Sequence, residues 1–258
     1  MPVDKRQYDP IAGEYRLVEE TLVQKYVYDE NLTKELLKAD IPGKKVVVLH
    51  AGSGYRARIA KSLGAGEVLG IDISYQNIRI AEDIELNSPE GIHYLVSDVY
   101  SDNFIESVPE RFIGETDIVI GYFALDHAMD ERELRCISDN ITKLLSQNGK
   151  FIGMSDCPKG QNPLPSRYGV VLSYDEKNKD KREGAPRRVS IYKDDKEVTH
   201  FHNFVWFRKT LQESLEKAGL VVDISDPSIA DTGLVELGED FWHEYKENPD
   251  QINIISRR

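Results

Sequence analysis

Cysteine is scarce in this chain, with only Cys136 and Cys157 among 258 residues. Their separation matches no metal-ligand spacing, and a chain this long has no need of a disulfide staple, so both are expected as reduced thiols. Long hydrophobic runs are missing as well. No apolar stretch approaches the roughly 18 residues a membrane span requires. The opening MPVDKRQYDP lacks the apolar core of a secretory leader. Together these point to a cytoplasmic protein with no membrane partner. Basic charge is also short: 33 Lys and Arg stand against 45 Asp and Glu, a formal net charge of −12. Neutralising a phosphate backbone needs a basic surface, so the charge argues against nucleic acid as the substrate, and none is expected as a partner. No internal repeat, low-complexity tract or long linker divides the chain, and one domain over 1–258 is expected, as a monomer or homodimer.

What is present is an alternation of apolar runs and helical patterns. Residues 1–42 read as a helical entry segment, with Ile11 to Lys25 and Glu30 to Ala39 carrying helical periodicity before Pro42 and Gly43. Strands are expected near 46–50, 68–72, 92–97, 117–122 and 150–155. Helices are expected near 55–64, 75–86, 130–146 and 103–109. Such alternation predicts an α/β, doubly wound, Rossmann-like and mostly parallel sheet covered on both faces. Residues 157–206 break the pattern. Gly160, Pro163, Pro165, Gly184 and Pro186 make irregular backbone, and two apolar runs flanking Lys193-Asp194-Asp195-Lys196 read as a hairpin. An insertion after the fifth strand lies at the carboxyl edge of the sheet, where ligands bind in open α/β folds, and is expected to cap that edge. Its basic run, Lys177 to Arg182, reads as a solvated loop or an electropositive mouth for an anionic substrate. A helix from Arg208 stops at Gly219, and the runs Val221–Ile224 and Ile252–Ile255 close the sheet.

The stretch from Gly43 to Ser74, GKKVVVLHAGSGYRARIAKSLGAGEVLGIDIS, carries the strongest functional signal. A buried strand leads into Ala51-Gly52-Ser53-Gly54. A helical pattern follows, and a second strand ends on Asp72. Glycines let backbone approach a ligand, and an acid at the tip of the second strand, about 20 residues on, accepts hydrogen bonds from ribose hydroxyls.

This segment resembles the first motif of the class I methyltransferases that use S-adenosylmethionine. YLVSDVY, DIVIGYFALDHAMDEREL and LLSQNGKFIGMS match later motifs of that family. The similarity is greatest to the toxoflavin-synthase-like methyltransferases of small-molecule metabolism, where REGAP, FHNF and DFWHEYKENP have counterparts. The resemblance implies S-adenosylmethionine as cofactor and an antiparallel final strand. It implies Asp72 at the ribose, Asp98 at the adenine amino group, and Ile73 and Val99 flanking the ring. Gly52, Ser53, Gly54 and His50 would form the loop beneath the cofactor. Tyr8 and Tyr15 would close over its methionine part, and Phe123 would lie near the reactive methyl. The chain departs from the pattern twice: Val48 stands where the family places an acid, and His50 where it places Gly or Ala.

Methyl transfer from a sulfonium needs alignment and exclusion of water more than a catalytic signature. Asp126 and His127 follow the fourth strand. Together they suit removal of a proton from an amine or hydroxyl, with Asp orienting His; helix capping and packing are the competing reading. His200 and His202 share one strand face, and with no third ligand nearby the expectation is contact with a small-molecule acceptor and no metal. Arg167, Tyr168 and Trp206 are the other candidates for the acceptor wall. The expected activity is transfer of a methyl group to nitrogen or oxygen of a small, planar metabolite. A cofactor-binding scaffold, ring closure of the cofactor itself, and a nicotinamide oxidoreductase are the alternatives. The last needs Tyr-x-x-x-Lys on a helix, and Tyr192 to Lys196 falls in a hairpin turn.

Overall fold

The structure, a computed structural model, describes residues 4–157, 163–174 and 183–258. Gly160 and the basic run from Lys177 to Arg182 lie outside the described residues. Ten strands and nine α-helices are seen in what is described. The strands are β1 (Lys45–Leu49), β2 (Glu67–Asp72), β3 (Ile92–Val96), β4 (Thr116–Tyr122), β5 (Leu145–Asp156), β6 (Val170–Ser173), β7 (Pro186–Lys193), β8 (Lys196–Phe204), β9 (Val221–Ser225) and β10 (Gln251–Arg257). The helices are α1 (Ala12–Tyr15), α2 (Asp29–Lys38), α3 (Tyr55–Ser62), α4 (Tyr75–Asn87), α5 (Phe104–Ser107), α6 (Glu131–Leu144), α7 (Arg208–Lys217), α8 (Asp231–Leu237) and α9 (Glu239–Glu247).

Seven strands form the main sheet in the order β3-β2-β1-β4-β5-β10-β9. The first five are parallel, with Val46 opposite Val68 and Ile118. β10 runs antiparallel to both its neighbours. The apolar run of β1 explains its central place. Val47 and Leu49 face a cluster with Leu134, Ile137 and Leu211 of α6 and α7. Val46 and Val48 face the opposite cluster, with Leu32, Leu36, Ala57 and Trp242 of α2, α3 and α9. A strand buried on both faces cannot alternate apolar with polar.

Two features differ from expectation, and a third adds to it. The second expected helix of the entry segment is present as α2, but the stretch from Ile11 to Lys25 is not one helix: it passes through short helical turns, and the break falls at Thr21, whose backbone is extended. The Thr21 hydroxyl takes the Gln24 N–H at 3.3 Å, a local bond that competes with helix continuation. The cap is a three-stranded antiparallel sheet, β6-β7-β8, because the short strand after Gly169 joins the hairpin. The DFWHEYKENP segment forms α9, whose Trp242 and Tyr245 are buried.

Because β1 to β5 are parallel, their carboxyl ends meet at one edge. His50, Asp72, Asp98, Phe123 and Asp156 stand there in turn, and the cap and the entry segment close over them.

Candidate functional site

The glycine turn is held by the acid it faces. Asp72 Oδ2 accepts the Gly52 N–H at 2.8 Å and Oδ1 accepts the Ser74 N–H at 2.9 Å. Ser74, not Asp72, caps α4, taking the Asn77 N–H at 3.1 Å. Gly54 has φ +83, and a Cβ there would meet the Tyr94 hydroxyl at 2.2 Å, so only glycine fits. Gly52, at φ +55, leaves its side-chain space empty: nothing lies closer to a built Cβ than the Tyr15 ring at 4.0 Å.

A cleft of about 660 Å³, its open mouth included, lies over this turn. It is lined by Tyr8, Tyr15, His50, Gly52, Asp72, Ile73 and Phe123 among the expected cofactor residues. Its floor carries two residues in the left-handed region without being glycine, His50 at φ 53 and Phe123 at φ 61. They follow adjacent strands, and backbone strain of this kind persists only where surrounding structure imposes it. The His50 and His127 rings stack at 5.0 Å and 22°. The Tyr100 hydroxyl donates its one proton to the Ala124 carbonyl and therefore accepts from His50 Nε2 at 2.9 Å. Neutral His50 thus carries its proton on Nε2 and a lone pair on Nδ1. His127 Nε2 pairs with the Tyr8 hydroxyl at 2.9 Å. Burial holds both imidazoles below their ordinary range, His127 furthest, with His50 adding to its shift. Burial likewise pushes the Tyr8 phenol well up.

The entry segment is strapped across this cleft. Lys5 bridges Asp98 at 3.1 Å and Glu133 at 2.7 Å. Burial opposes its charge, but bonds to Glu133 and Asp98 outweigh that and raise its pKa. Gln7 pairs with both backbone groups of His202, at 2.7 and 2.8 Å, as a neighbouring strand would. Asp9 accepts the Ser74 hydroxyl at 2.6 Å.

A second cavity, of about 420 Å³ with its open mouth included, shares Tyr8, Tyr15, Arg56, Phe123 and His127 with the first and runs beneath the cap. Several expected residues do not reach either space. Asp126 does not orient His127. It is fully buried and turned away, accepting from Ser155 Oγ and from the Asp156 N–H at 3.0 Å. Burial, and then Asp156 beside it, raises its carboxyl well above the usual range. His200 and His202 point to the outer face of β8, where His200 pairs with Glu197 at 3.2 Å. The inward residues are their alternates: Phe201 packs on Tyr8, Tyr15 and His127, and Asn203 lines the second cavity. Arg167 pairs with Glu244 of α9. Tyr168 stacks on Trp242 and donates to the Phe241 carbonyl at 2.7 Å. Trp206 is core, its indole donating to the Ala128 carbonyl at 3.0 Å. Ser53 and Asp98 lie beside the cleft without lining it, Ser53 Oγ donating to Glu19 at 2.6 Å. Gly54 is likewise set back at the start of α3, and Val99 is in the core.

Sequence reading missed Arg56, Tyr28, Tyr100, Asp156 and Asn203. Position alone was a signal for two of them: Arg56 lies just past the glycine turn, and Asp156 ends the fifth strand. Asp156 Oδ2 accepts from Arg187 at 3.2 Å and Asn203 at 3.1 Å, and Oδ1 from Gln251 at 3.0 Å. That buried network ties the cap to the sheet. Among the described residues no cluster of three metal-type side chains occurs, and no helix is long and apolar enough to cross a membrane.

No protein-family model and no curated protein matches the chain. Solved structures do. An S-adenosylmethionine-dependent methyltransferase from Clostridium acetobutylicum aligns with a TM-score of 0.64 over 97% of this chain and 98% of its own, at 11% identity. One from Mesorhizobium loti gives 0.61 over 87% and 96%, at 18% identity. The DhpI–SAM–HEP complex gives 0.59 over 97% and 94%, at 16% identity. At such identities the likeness is one of fold: the chain has the Rossmann-like fold of these methyltransferases.

Proposed function

We propose that this chain is an S-adenosylmethionine-dependent methyltransferase acting on nitrogen or oxygen of a small, planar metabolite, of the toxoflavin-synthase-like kind. One observation carries the reading. A buried carboxylate and a glycine turn share a cleft that continues, past Phe123 and His127, into a second cavity under the cap. The residues present fit the cofactor. Gly52 leaves a cradle that any Cβ would fill, and each Asp72 oxygen accepts one backbone N–H, leaving a lone pair for a ribose hydroxyl. Asp98 is the acceptor proposed for the adenine amino group, in exchange for Lys5. When bound, S-adenosylmethionine supplies a methyl group on a positively charged sulfur, with a neutral thioether as leaving group.

The chain's own part is positioning, drying and proton removal. Tyr8, Tyr15 and Phe201 form the aromatic wall that keeps water from the junction of the cavities. His127, held neutral by burial, is the proposed acceptor of the proton that an amine or hydroxyl loses as it is methylated. Binding without transfer is the second reading, favoured by His50 filling a glycine's place at φ 53.

Calorimetry with S-adenosylmethionine, S-adenosylhomocysteine and NAD tests the cofactor, and thioether release on planar heterocycles, amines and phenols tests the reaction. The expected result is binding of the first two ligands only, followed by turnover. His127→Ala is expected to lower the rate by about 10²-fold with acceptor affinity kept. An unchanged rate leaves His127 a packing residue. Binding of NAD alone rejects the cofactor, and tight binding with no acceptor ever methylated favours the second reading.

A further inference from the structure

The second cavity holds hydrogen-bond donors that the protein leaves unused. Arg56 stands on the second residue of α3, with its guanidinium over the rings of Tyr122 and Phe123, 5.1 and 5.8 Å from their centroids. One terminal nitrogen makes a long bond to Gln24 Oε1 at 3.3 Å, and the buried Nε has no partner. Arg56 forms no ion pair among the described residues. The Tyr15 and Tyr28 side chains line the same cavity, and neither hydroxyl makes a hydrogen bond among the described residues. Burial raises the Tyr15 phenol to about 12 and the Tyr28 phenol well up, so both stay O–H donors at neutral pH.

The rest of the lining decides what those donors suit. The cap side is apolar, from Val170, Val189, Ile191 and Phe201. Each carboxylate and amide oxygen of the cavity already accepts at least one donor from the protein. Asp156 takes three donors, Asn203 Oδ1 takes Arg187 Nε at 2.7 Å, and Gln24 Oε1 takes Arg56. A simple anion needs only the donors. A guanidinium with two phenols offers an anion charge-assisted bonds of the strong kind.

We propose that Arg56, Tyr15 and Tyr28 receive a carboxylate of the acceptor, so that the substrate is a small planar carboxylic acid with its apolar body against the cap. This rests on the reading of the second cavity as the acceptor site. The test uses the full chain and calorimetry, with benzoate and 2-aminobenzoate against benzamide and 2-aminobenzamide, each with and without saturating S-adenosylhomocysteine. The carboxylates should bind about tenfold or more tightly than the amides, the loss expected when a charged partner is removed. Arg56→Met should erase that preference and Arg56→Lys retain part of it, with binding of 5′-methylthioadenosine, which lacks the methionine end, kept in both. Equal binding of acids and amides, or no binding of either, overturns the proposal. So does an Arg56→Met loss confined to S-adenosylhomocysteine and absent for 5′-methylthioadenosine, which assigns the arginine to the methionine end of the cofactor. If neither thioether binds while the acid preference and its loss in Arg56→Met persist, the methyl-transfer reading fails and the anion site stands.

Discussion

Asp72 does two things with one carboxylate. It pins the Gly52 and Ser74 N–H groups, and it faces the cleft. Asp72→Ala should therefore weaken S-adenosylhomocysteine binding by about 1.5–3 kcal/mol, the range for a hydrogen bond to a charged group. It should also lower stability, because two backbone donors lose their acceptor. Calorimetry below the variant's melting temperature separates the two, and unchanged affinity there removes Asp72 from the ribose. His50 shows what a motif cannot convey. The sequence marks it as a bulky departure in a glycine position. Its tautomer, however, follows from Tyr100 and the Ala124 carbonyl, which lie 50 and more residues away.

Among the elements, the cap is where sequence and structure part most. Alternation along Glu197–Phe204 correctly requires that His200 and His202 share a face, but not which face. The choice depends on the turn at Asp194-Asp195, both at positive φ, and on the irregular register between Ile191 and Tyr192. A single-residue shift there exchanges the two faces. The cap is fastened by Arg187, fully buried, with Asp156 at 3.2 Å and Asp126 at 4.0 Å. Burial works against its charge, and the two carboxylates outweigh it. Arg187→Met leaves two buried acids without their cation and should cost about 3–5 kcal/mol in urea unfolding. A cost near zero would mean that the cap packs independently of this network. Removing the whole hairpin over 185–203 would delete Arg187 and Asn203 together, so a cap variant should be shortened only at its exposed tip.

For the molecule as a whole, the buried histidines set a pH dependence. His50 and His127 have folded pKa values below the ordinary 6.5. Below about pH 6.5 the unfolded chain binds protons there that the folded chain refuses, so acid favours unfolding. Their contribution is complete above about 6.5 and is lost as pH falls toward the folded values. Asp126, raised above 3.8, runs the other way: its contribution is present below 3.8 and lost as pH rises through its folded value. Between about pH 7.5 and 5.5 the melting temperature of the native protein should fall more than that of a His50→Gln/His127→Gln variant, which keeps Asp126. Parallel melting curves would mean that neither ring is held neutral by the fold.

The sequence by itself determined the alternating core, the glycine turn with Asp72 at the next strand tip, and the place of the insertion. These rest on periodicity and on backbone freedom, which are local. The tertiary structure alone decided which residues meet. Lys5 reaches Asp98, Tyr8 reaches His127, and Arg187 reaches Asp156 across spans of chain that no pattern measures. It also turned Asp126 inward, Arg167 toward α9 and Arg56 into the cavity. Side-chain type is written in the chain. Which neighbour satisfies a buried charge is not, because that follows from the packing of elements far apart in sequence.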